Sequence, residues 1–186
     1  MNKAIFLDKD GTVIKDVPYN VDPDKIVLLP GTAVGLQQLQ AAGYLLIMVT
    51  NQAGVARGYF TEADLPAVEN KLKELLEPSN IKLDGFYYCP NHPEGHVAPY
   101  NISCGNRKPM PGMLLQAAAD HQIDLKVSWM IGDILHDVEA GNRAGCHTLL
   151  IDNGGETEWI KNNDYRQPDY VCADLLEAAQ YVLSQP

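Results

Sequence analysis

Basic residues are scarce in this chain of 186: 14 lysines and arginines stand against 24 aspartates and glutamates, a formal charge of −10 at neutral pH. A phosphate backbone rewards a Lys/Arg surface, so no nucleic-acid partner is expected. No apolar run comes near the roughly 20 residues a bilayer-spanning helix needs. Met1 to Asp8 carries acid where a signal peptide would hold a long apolar region. The chain is therefore expected to be cytoplasmic, with no membrane partner. Cysteines number only four (Cys89, Cys104, Cys146 and Cys172), too scattered for a disulfide framework and suited to a reducing compartment. Cys146 and Cys172 lie in apolar segments and read as small core residues. Internal repeats, low-complexity tracts and Gly/Ser linkers are also missing. A chain of this length buries one substantial core and is short for two, so residues 1–186 are expected to form a single domain, with a monomer favoured.

What is present is a series of short apolar runs without alternation: Ala4 to Leu7, Tyr44 to Val49, Phe86 to Tyr88, Val127 to Ile131 and Thr148 to Ile151. Strands buried on both faces read this way. Helical patterns separate them. Val34, Leu36, Leu39 and Ala42 fit one helix that Gly43 can end. A second helix opens near Thr61, with Asp64 at capping-box spacing and an apolar face of Leu65, Val68, Leu72, Leu75 and Leu76. Pro66 sits badly in a helix begun at Thr61, and fits better in the first turn of one capped by Asp64. Further helices are expected at Gly112 to His121, Asp137 to Ala144 and Asp174 to Leu183. Strands alternating with helices predict an α/β fold: a three-layer, Rossmann-like parallel sheet with helices on both faces and ligands at the carboxyl ends of the strands. The irregular stretches Val13 to Pro30 and Cys89 to Pro111 are long for connections and are candidates for active-site loops.

The ends of the apolar runs carry the chemistry. Ala4 to Leu7 runs directly into Asp8-Lys9-Asp10-Gly11-Thr12, placing two carboxylates where a buried strand should stop. Like charges that close need a cation between them, and Mg²⁺, a hard ion that favours carboxylate and phosphate oxygens, suits the place. The second run ends in Val49-Thr50-Asn51-Gln52, where a hydroxyl can donate to a phosphoryl oxygen. Arg107-Lys108-Pro109-Met110-Pro111-Gly112 puts cations just before an expected helix start, whose dipole adds to their field. The fourth element, Trp129-Met130-Ile131-Gly132-Asp133, again ends an apolar run in an acid, with Asp137 four residues on. Each element alone also has an ordinary reading as a turn, strand end, solvated surface or helix cap.

Together and in this order, the four elements resemble the haloacid dehalogenase superfamily of phosphohydrolases over nearly the whole chain. The resemblance implies Asp8 as covalent nucleophile, Asp10 as general acid and base, and Thr50 and Lys108 as phosphoryl stabilisers. It implies Asp8, Asp10 and Asp133 as Mg²⁺ ligands, with Asp137 supporting the metal site from behind. Halide displacement would have no use for a second acid or a divalent metal, so phosphate ester hydrolysis is expected.

A finer resemblance lies in Thr50 to Gly58, in Tyr87-Tyr88-Cys89-Pro90-Asn91-His92-Pro93-Glu94-Gly95 and in Arg107-Lys108-Pro109. These look like the D-glycero-D-manno-heptose 1,7-bisphosphate 7-phosphatases, a branch shared with the histidinol-phosphate phosphatases. The expected ligand is thus a small phosphorylated metabolite. Histidinol phosphate or another sugar phosphate is the alternative substrate, and a catalytically silent phospholigand-binding protein the alternative class. The resemblance implies that Asp16 to Tyr19 and Thr50, Asn51, Gln52 and Ala53 line the substrate site, with Arg107 and Lys108 also binding substrate. A guanidinium fork suits a second phosphate. No large cap domain is expected. Related enzymes hold a structural zinc with a Cys-x-His pair and a Cys-x-Cys pair, but the corresponding positions here read Cys89-Pro90-Asn91 and Cys104-Gly105-Asn106. Amides are poor zinc ligands, so the loop is expected to hold its shape without zinc. A set drawn from Cys89, His92, His96 and Cys104 is the alternative.

Overall fold

Strand β1 (Lys3–Leu7) is buried on both sides because its side chains alternate between two apolar layers: Ile5 and Leu7 join one, Ala4 and Phe6 the other. The computed structural model describes residues 1–186. Around β1 lie β2 (Tyr44–Asn51), β3 (Gly85–Cys89), β4 (Trp129–Gly132), β5 (His147–Ile151) and β6 (Tyr170–Cys172). All pair in parallel, in the order β3-β2-β1-β4-β5-β6.

Helices cover both faces. On one side α1 (Thr32–Ala41), α2 (Leu65–Leu76) and α5 (Leu175–Ser184) bring Leu36, Leu39, Val68, Leu72, Ala178 and Val182 onto Leu46, Met48, Ile131 and Leu149. On the other side α3 (Gly112–Asp120) and α4 (Leu135–Ala144) bring Met113, Leu114, Ala117 and Ala140 onto Ile47, Val49 and Met130. The result is the three-layer α/β architecture expected from the sequence. No further element forms a cap domain, and the stretch from Pro90 to Pro111 carries no helix or strand. Val13 to Pro30 holds one short helical turn, Pro23–Lys25. Both stretches run at the carboxyl ends of the strands. No helix is long and apolar enough to cross a membrane.

Several boundaries differ from the sequence expectation, each for a local reason. Thr61 and Asp64 do form a capping box, with Thr61 N–H donating to Asp64 Oδ2 at 2.8 Å, but they cap a tight turn at Glu62–Asp64 before α2 begins at Leu65. That turn places Pro66 in the first turn of α2, where its missing N–H costs nothing. Val34 is half exposed and lies off the core face of α1, which Leu36 and Leu39 form instead. Val127 closes a helical turn and is also exposed, so β4 starts two residues later than the apolar run suggests. β6 escaped the pattern because it is three residues long and pairs only with β5 at the sheet edge. Cys146 and Cys172 are buried, as their apolar surroundings indicated.

The strand order reverses at β1, between β2 and β4. Doubly wound sheets bind ligands in the crevice outside the strand ends at this switch point. Asp8, Thr50 and Asp133 belong to the ends of those three strands.

Candidate active site

Asp8 follows directly on β1, and its N–H still bonds to Ile131 O of β4 at 3.0 Å, which fixes its backbone in the ladder. The Lys108 Nζ donates to Asp8 Oδ1 at 2.5 Å and lies 2.6 Å from Asp137 Oδ1. Lys108 is 2% exposed and Asp137 is 0%, so this is a buried ion triad. Lys108 itself lies in an irregular loop, and one side chain anchors its backbone. Asn51, at the end of β2, donates through Nδ2 to Lys108 O and accepts from Lys108 N–H, both at 3.0 Å. The amide expected to meet substrate thus also anchors the main chain of Lys108. Asp137 sits in the first turn of α4, where its Oδ2 accepts from Ile134 N–H at 3.3 Å.

Asp133 completes the cluster. Ligand oxygens of Asp8, Asp133 and Asp137 all lie within 4.8 Å of one another, the one such grouping of three or more metal-capable side chains in the protein. One lysine cannot balance three carboxylates. Burial first, then the charges of Asp8 and Asp137, push the Asp133 carboxyl up to about 8. Burial likewise lifts Asp137 to about 6, against the pull of Lys108. Burial alone would lower Lys108, but the two carboxylates outweigh it and hold the ammonium above its ordinary range. A cluster short of positive charge and built from hard oxygen donors fits a divalent cation such as Mg²⁺. Asp133 and the second oxygen of Asp8 are left to hold it, whereas Asp137 meets Lys108 with Oδ1 and Ile134 N–H with Oδ2.

Asp10 was also expected as a metal ligand, but its carboxylate lies outside this cluster. It pairs instead with Lys9, whose Nζ lies 2.8 Å from Asp10 Oδ1. Burial raises the Asp10 carboxyl despite Lys9, and the neighbouring Asp8 charge adds to the rise. Thr50 is buried, and its Oγ1 accepts from Gln52 Nε2 at 2.9 Å, which leaves the hydroxyl proton free to donate elsewhere. Beside Asp10 opens a cleft of about 220 Å³, lined among others by Asp16, Tyr19, Asn51, Gln52 and Ala53. The structure therefore brings five of the sequence-expected substrate residues to one cleft beside Asp10, while Thr50, Arg107 and Lys108 lie outside its lining. Tyr19 is half exposed at its rim and packs on Tyr59, their ring centroids 4.5 Å apart.

Arg107 is directed by the loop that precedes it, through a bond from its NH1 to Asn91 O at 3.2 Å. Cys89 and Cys104 come together there, Sγ to Sγ 3.3 Å, and both thiols face Asn91 Oδ1. Burial raises the Cys89 thiol to about 12. Neither His92 nor His96 joins the two thiols at ligand spacing. His92 turns its Nδ1 to the Glu94 N–H at 3.1 Å and its Nε2 toward Arg57, 3.4 Å away, and so departs from the alternative zinc set.

Three residues in this neighbourhood lie outside the sequence expectations. Lys9 lies between two acids at the end of a buried run, a signal in itself, because a lysine there must find an anion. Asn153 and Glu156 follow the fifth apolar run, and strand ends are where ligands bind in such a sheet. Asn153 reaches Gly11 O and Glu156 caps the start of α4 by accepting from Leu135 N–H at 2.7 Å.

Comparison with known proteins places the chain among phosphatases. A family model for HAD-hydrolase-like proteins matches residues 105–178. The chain is 40% identical over 183 residues to the D-glycero-beta-D-manno-heptose-1,7-bisphosphate 7-phosphatase of Pasteurella multocida, covering 98% of this chain and 97% of that one. It is 37% identical to the Escherichia coli K12 protein of the same name, over 98% of this chain and 94% of the other. Among solved structures, the D,D-heptose 1,7-bisphosphate phosphatase from B. bronchiseptica, complexed with magnesium and phosphate, superposes with a TM-score of 0.81. It is 31% identical, with 99% of both chains covered.

Proposed function

We propose that this chain, which belongs to the D-glycero-D-manno-heptose-1,7-bisphosphate 7-phosphatase family of HAD-like hydrolases, is a Mg²⁺-dependent phosphatase that removes the 7-phosphate of a heptose 1,7-bisphosphate. The observation that carries this reading is the buried Lys108 ammonium held between Asp8 and Asp137, with Asp133 beside them. Such a site has one nucleophilic carboxylate at its mouth and the means to cancel phosphoryl charge behind it.

In this reading Asp8 attacks the phosphorus in line and forms an aspartyl phosphate, so that one difficult displacement becomes two easier ones. Lys108 and the free Thr50 hydroxyl proton meet the equatorial phosphoryl oxygens. Asp10, protonated more readily than an exposed carboxyl, gives its proton to the departing alkoxide and then takes one from the water that attacks the intermediate. Asp8 and Asp133 would hold Mg²⁺, which when bound supplies positive charge to the transferring group. Asp16, Tyr19, Gln52 and Ala53 cradle the sugar, and Arg107 reads the distal phosphate.

A substrate panel tests this directly. With Mg²⁺, a heptose 1,7-bisphosphate should show the highest kcat/KM, ahead of histidinol phosphate and simple hexose phosphates, and EDTA should abolish all turnover. A preference for histidinol phosphate would move the chain to the neighbouring branch. No turnover of any ester would leave only a phospholigand-binding role.

Arg107→Ala separates recognition from chemistry, since Lys108 already serves the reacting centre. The variant should lower kcat/KM for the bisphosphate by about 10²-fold, the scale of one lost charge-assisted bidentate contact, while a small generic phosphate ester loses much less. Equal losses for both esters would contradict the assignment.

The loop beneath Arg107 is expected to hold its shape through packing and hydrogen bonds, with Cys89 and Cys104 as thiols facing Asn91. Metal analysis of protein purified without chelator should find well below one zinc per chain, and Cys89→Ser should leave the thermal midpoint nearly unchanged. Near-stoichiometric zinc that is lost with this substitution would overturn the expectation.

A further inference from the structure

The Asp133 carboxylate sits in a slot between two glycines that are distant in sequence. A Cβ on Gly11 would come to 2.0 Å from Asp133 Oδ2, and one on Gly155 to 2.1 Å. Gly11 has φ +77, so its backbone as well as the space around it excludes a side chain. Asn153 ties the two jaws of this slot together. Its Nδ2 donates to Gly11 O at 2.5 Å and its Oδ1 accepts from Gly155 N–H at 3.0 Å. A carbonyl must be met by the amide nitrogen and an N–H by the amide oxygen, so only one orientation of Asn153 makes both bonds.

The segment from Asn153 to Glu156 is fixed at its far end as well. Glu156 accepts from Leu135 N–H at 2.7 Å through Oε2, and from Glu158 and Trp159 N–H at 2.9 and 3.2 Å through Oε1. It thus forms a strap from the turn after Asp8 to the start of α4, laid across Asp133. An aspartate carboxylate otherwise rotates about its last bond in a broad, shallow well. With one oxygen in the slot, its plane is set before any cation arrives, and the entropy of ordering it need not be lost on binding.

We infer that Asn153 is a positioning residue for Asp133: by closing the Gly11–Gly155 slot it sets how tightly the carboxylate cluster holds a divalent cation. This rests on the proposed Mg²⁺ site. It assigns Asn153 and Gly155, which touch neither the cleft nor the Lys108 triad, a role in metal affinity alone.

The experiment measures Mg²⁺ affinity without substrate, from the rise in thermal midpoint as Mg²⁺ is titrated into the full chain, and compares it with the Mg²⁺ concentration that gives half-maximal activity. Asn153→Ala should weaken both by about 10-fold, the lower end of what lost metal-orienting partners cost. Its kcat at saturating Mg²⁺ should stay within about threefold of wild type. Gly155→Ala, which pushes a methyl onto Asp133, should weaken Mg²⁺ at least as much. Asn162→Ala, the same truncation elsewhere in the loop, should leave affinity unchanged. If Asn153→Ala does not fold, the Gly155→Ala titration carries the decision. Wild-type Mg²⁺ affinity in either folded variant, or a fall in kcat at saturating Mg²⁺ with affinity unchanged, overturns the inference. A wild-type midpoint that ignores Mg²⁺ would overturn the metal site as well, and so distinguishes failure of the strap from failure of the reading beneath it.

Discussion

Asp8→Asn is expected to lower kcat by on the order of 10⁴-fold or more, the scale seen when a covalent nucleophile is removed and only binding and charge stabilisation remain. The amide matches the carboxylate in shape but cannot attack phosphorus, and any acyl-linked intermediate becomes impossible. The fold should survive. Lys108 loses one anionic partner but keeps Asp137, 2.6 Å away, and the site loses one of three crowded carboxylates. Circular dichroism and the thermal midpoint should therefore stay close to those of the wild type. Mass spectrometry of protein quenched during turnover should find one phosphoryl group on the peptide that contains Asp8 in the wild type and none in the variant. Near-normal activity in Asp8→Asn would remove the proposed nucleophile outright.

Lys108→Met should damage both stability and catalysis, and the two losses should come apart. Methionine fits the volume of the buried chain, but it leaves Asp8 and Asp137 without the ammonium that both face. Breaking a buried pair on one side strands a charge in low dielectric, at a cost of about 3–5 kcal/mol. Neutralising the stranded group should recover much of it: Lys108→Met combined with Asp137→Asn is expected to unfold at higher denaturant than Lys108→Met alone. Activity should not follow. Losing a preorganised cation at the phosphoryl group costs about 10²–10³-fold in kcat, and Asp137→Asn supplies no replacement. Denaturant midpoints and kcat for the two single variants and the double variant form a cycle that separates the effects. A Lys108→Met protein as stable as wild type, or a double variant with restored activity, would contradict the roles given to this triad.

Residues whose surroundings are local in sequence were legible from the start. The runs around Ile5, Ile47, Met130 and Leu149 lack alternation because they are covered on both faces, and burial on both faces leaves only apolar side chains acceptable. The Thr61–Asp64 cap was legible for a similar reason, since both partners lie within one turn. Val34 and Leu36 stand two positions apart on α1 and cannot face the same way, and the packing of α1 against α5 decides that Leu36 and Leu39 are covered while Val34 is not. β6 is too short to show any period, and it exists because β5 offers it an edge.

The same division runs through the site. An acid directly after a buried run marks Asp8 and Asp133 as candidates without any knowledge of what they face. That Asn51 clamps the main chain of Lys108, that Lys9 takes the Asp10 carboxylate, and that Asn153 closes a slot on Asp133 were all invisible. Each depends on a partner chosen by the fold: Asn153 and Gly11 are 142 residues apart, Lys108 and Asp8 are 100.

By itself, then, the sequence determined which segments form the buried strands, that helices lie between them and which reactive groups stand at strand ends, because these follow from the periodicity of neighbouring side chains. The tertiary structure alone decided which of those groups meet. Strand order places β4 against β1 rather than beside its nearer neighbour β3, and with it Asp133 against Asp8. That choice is made by the packing of two helical layers on a twisted sheet, and no local period encodes it.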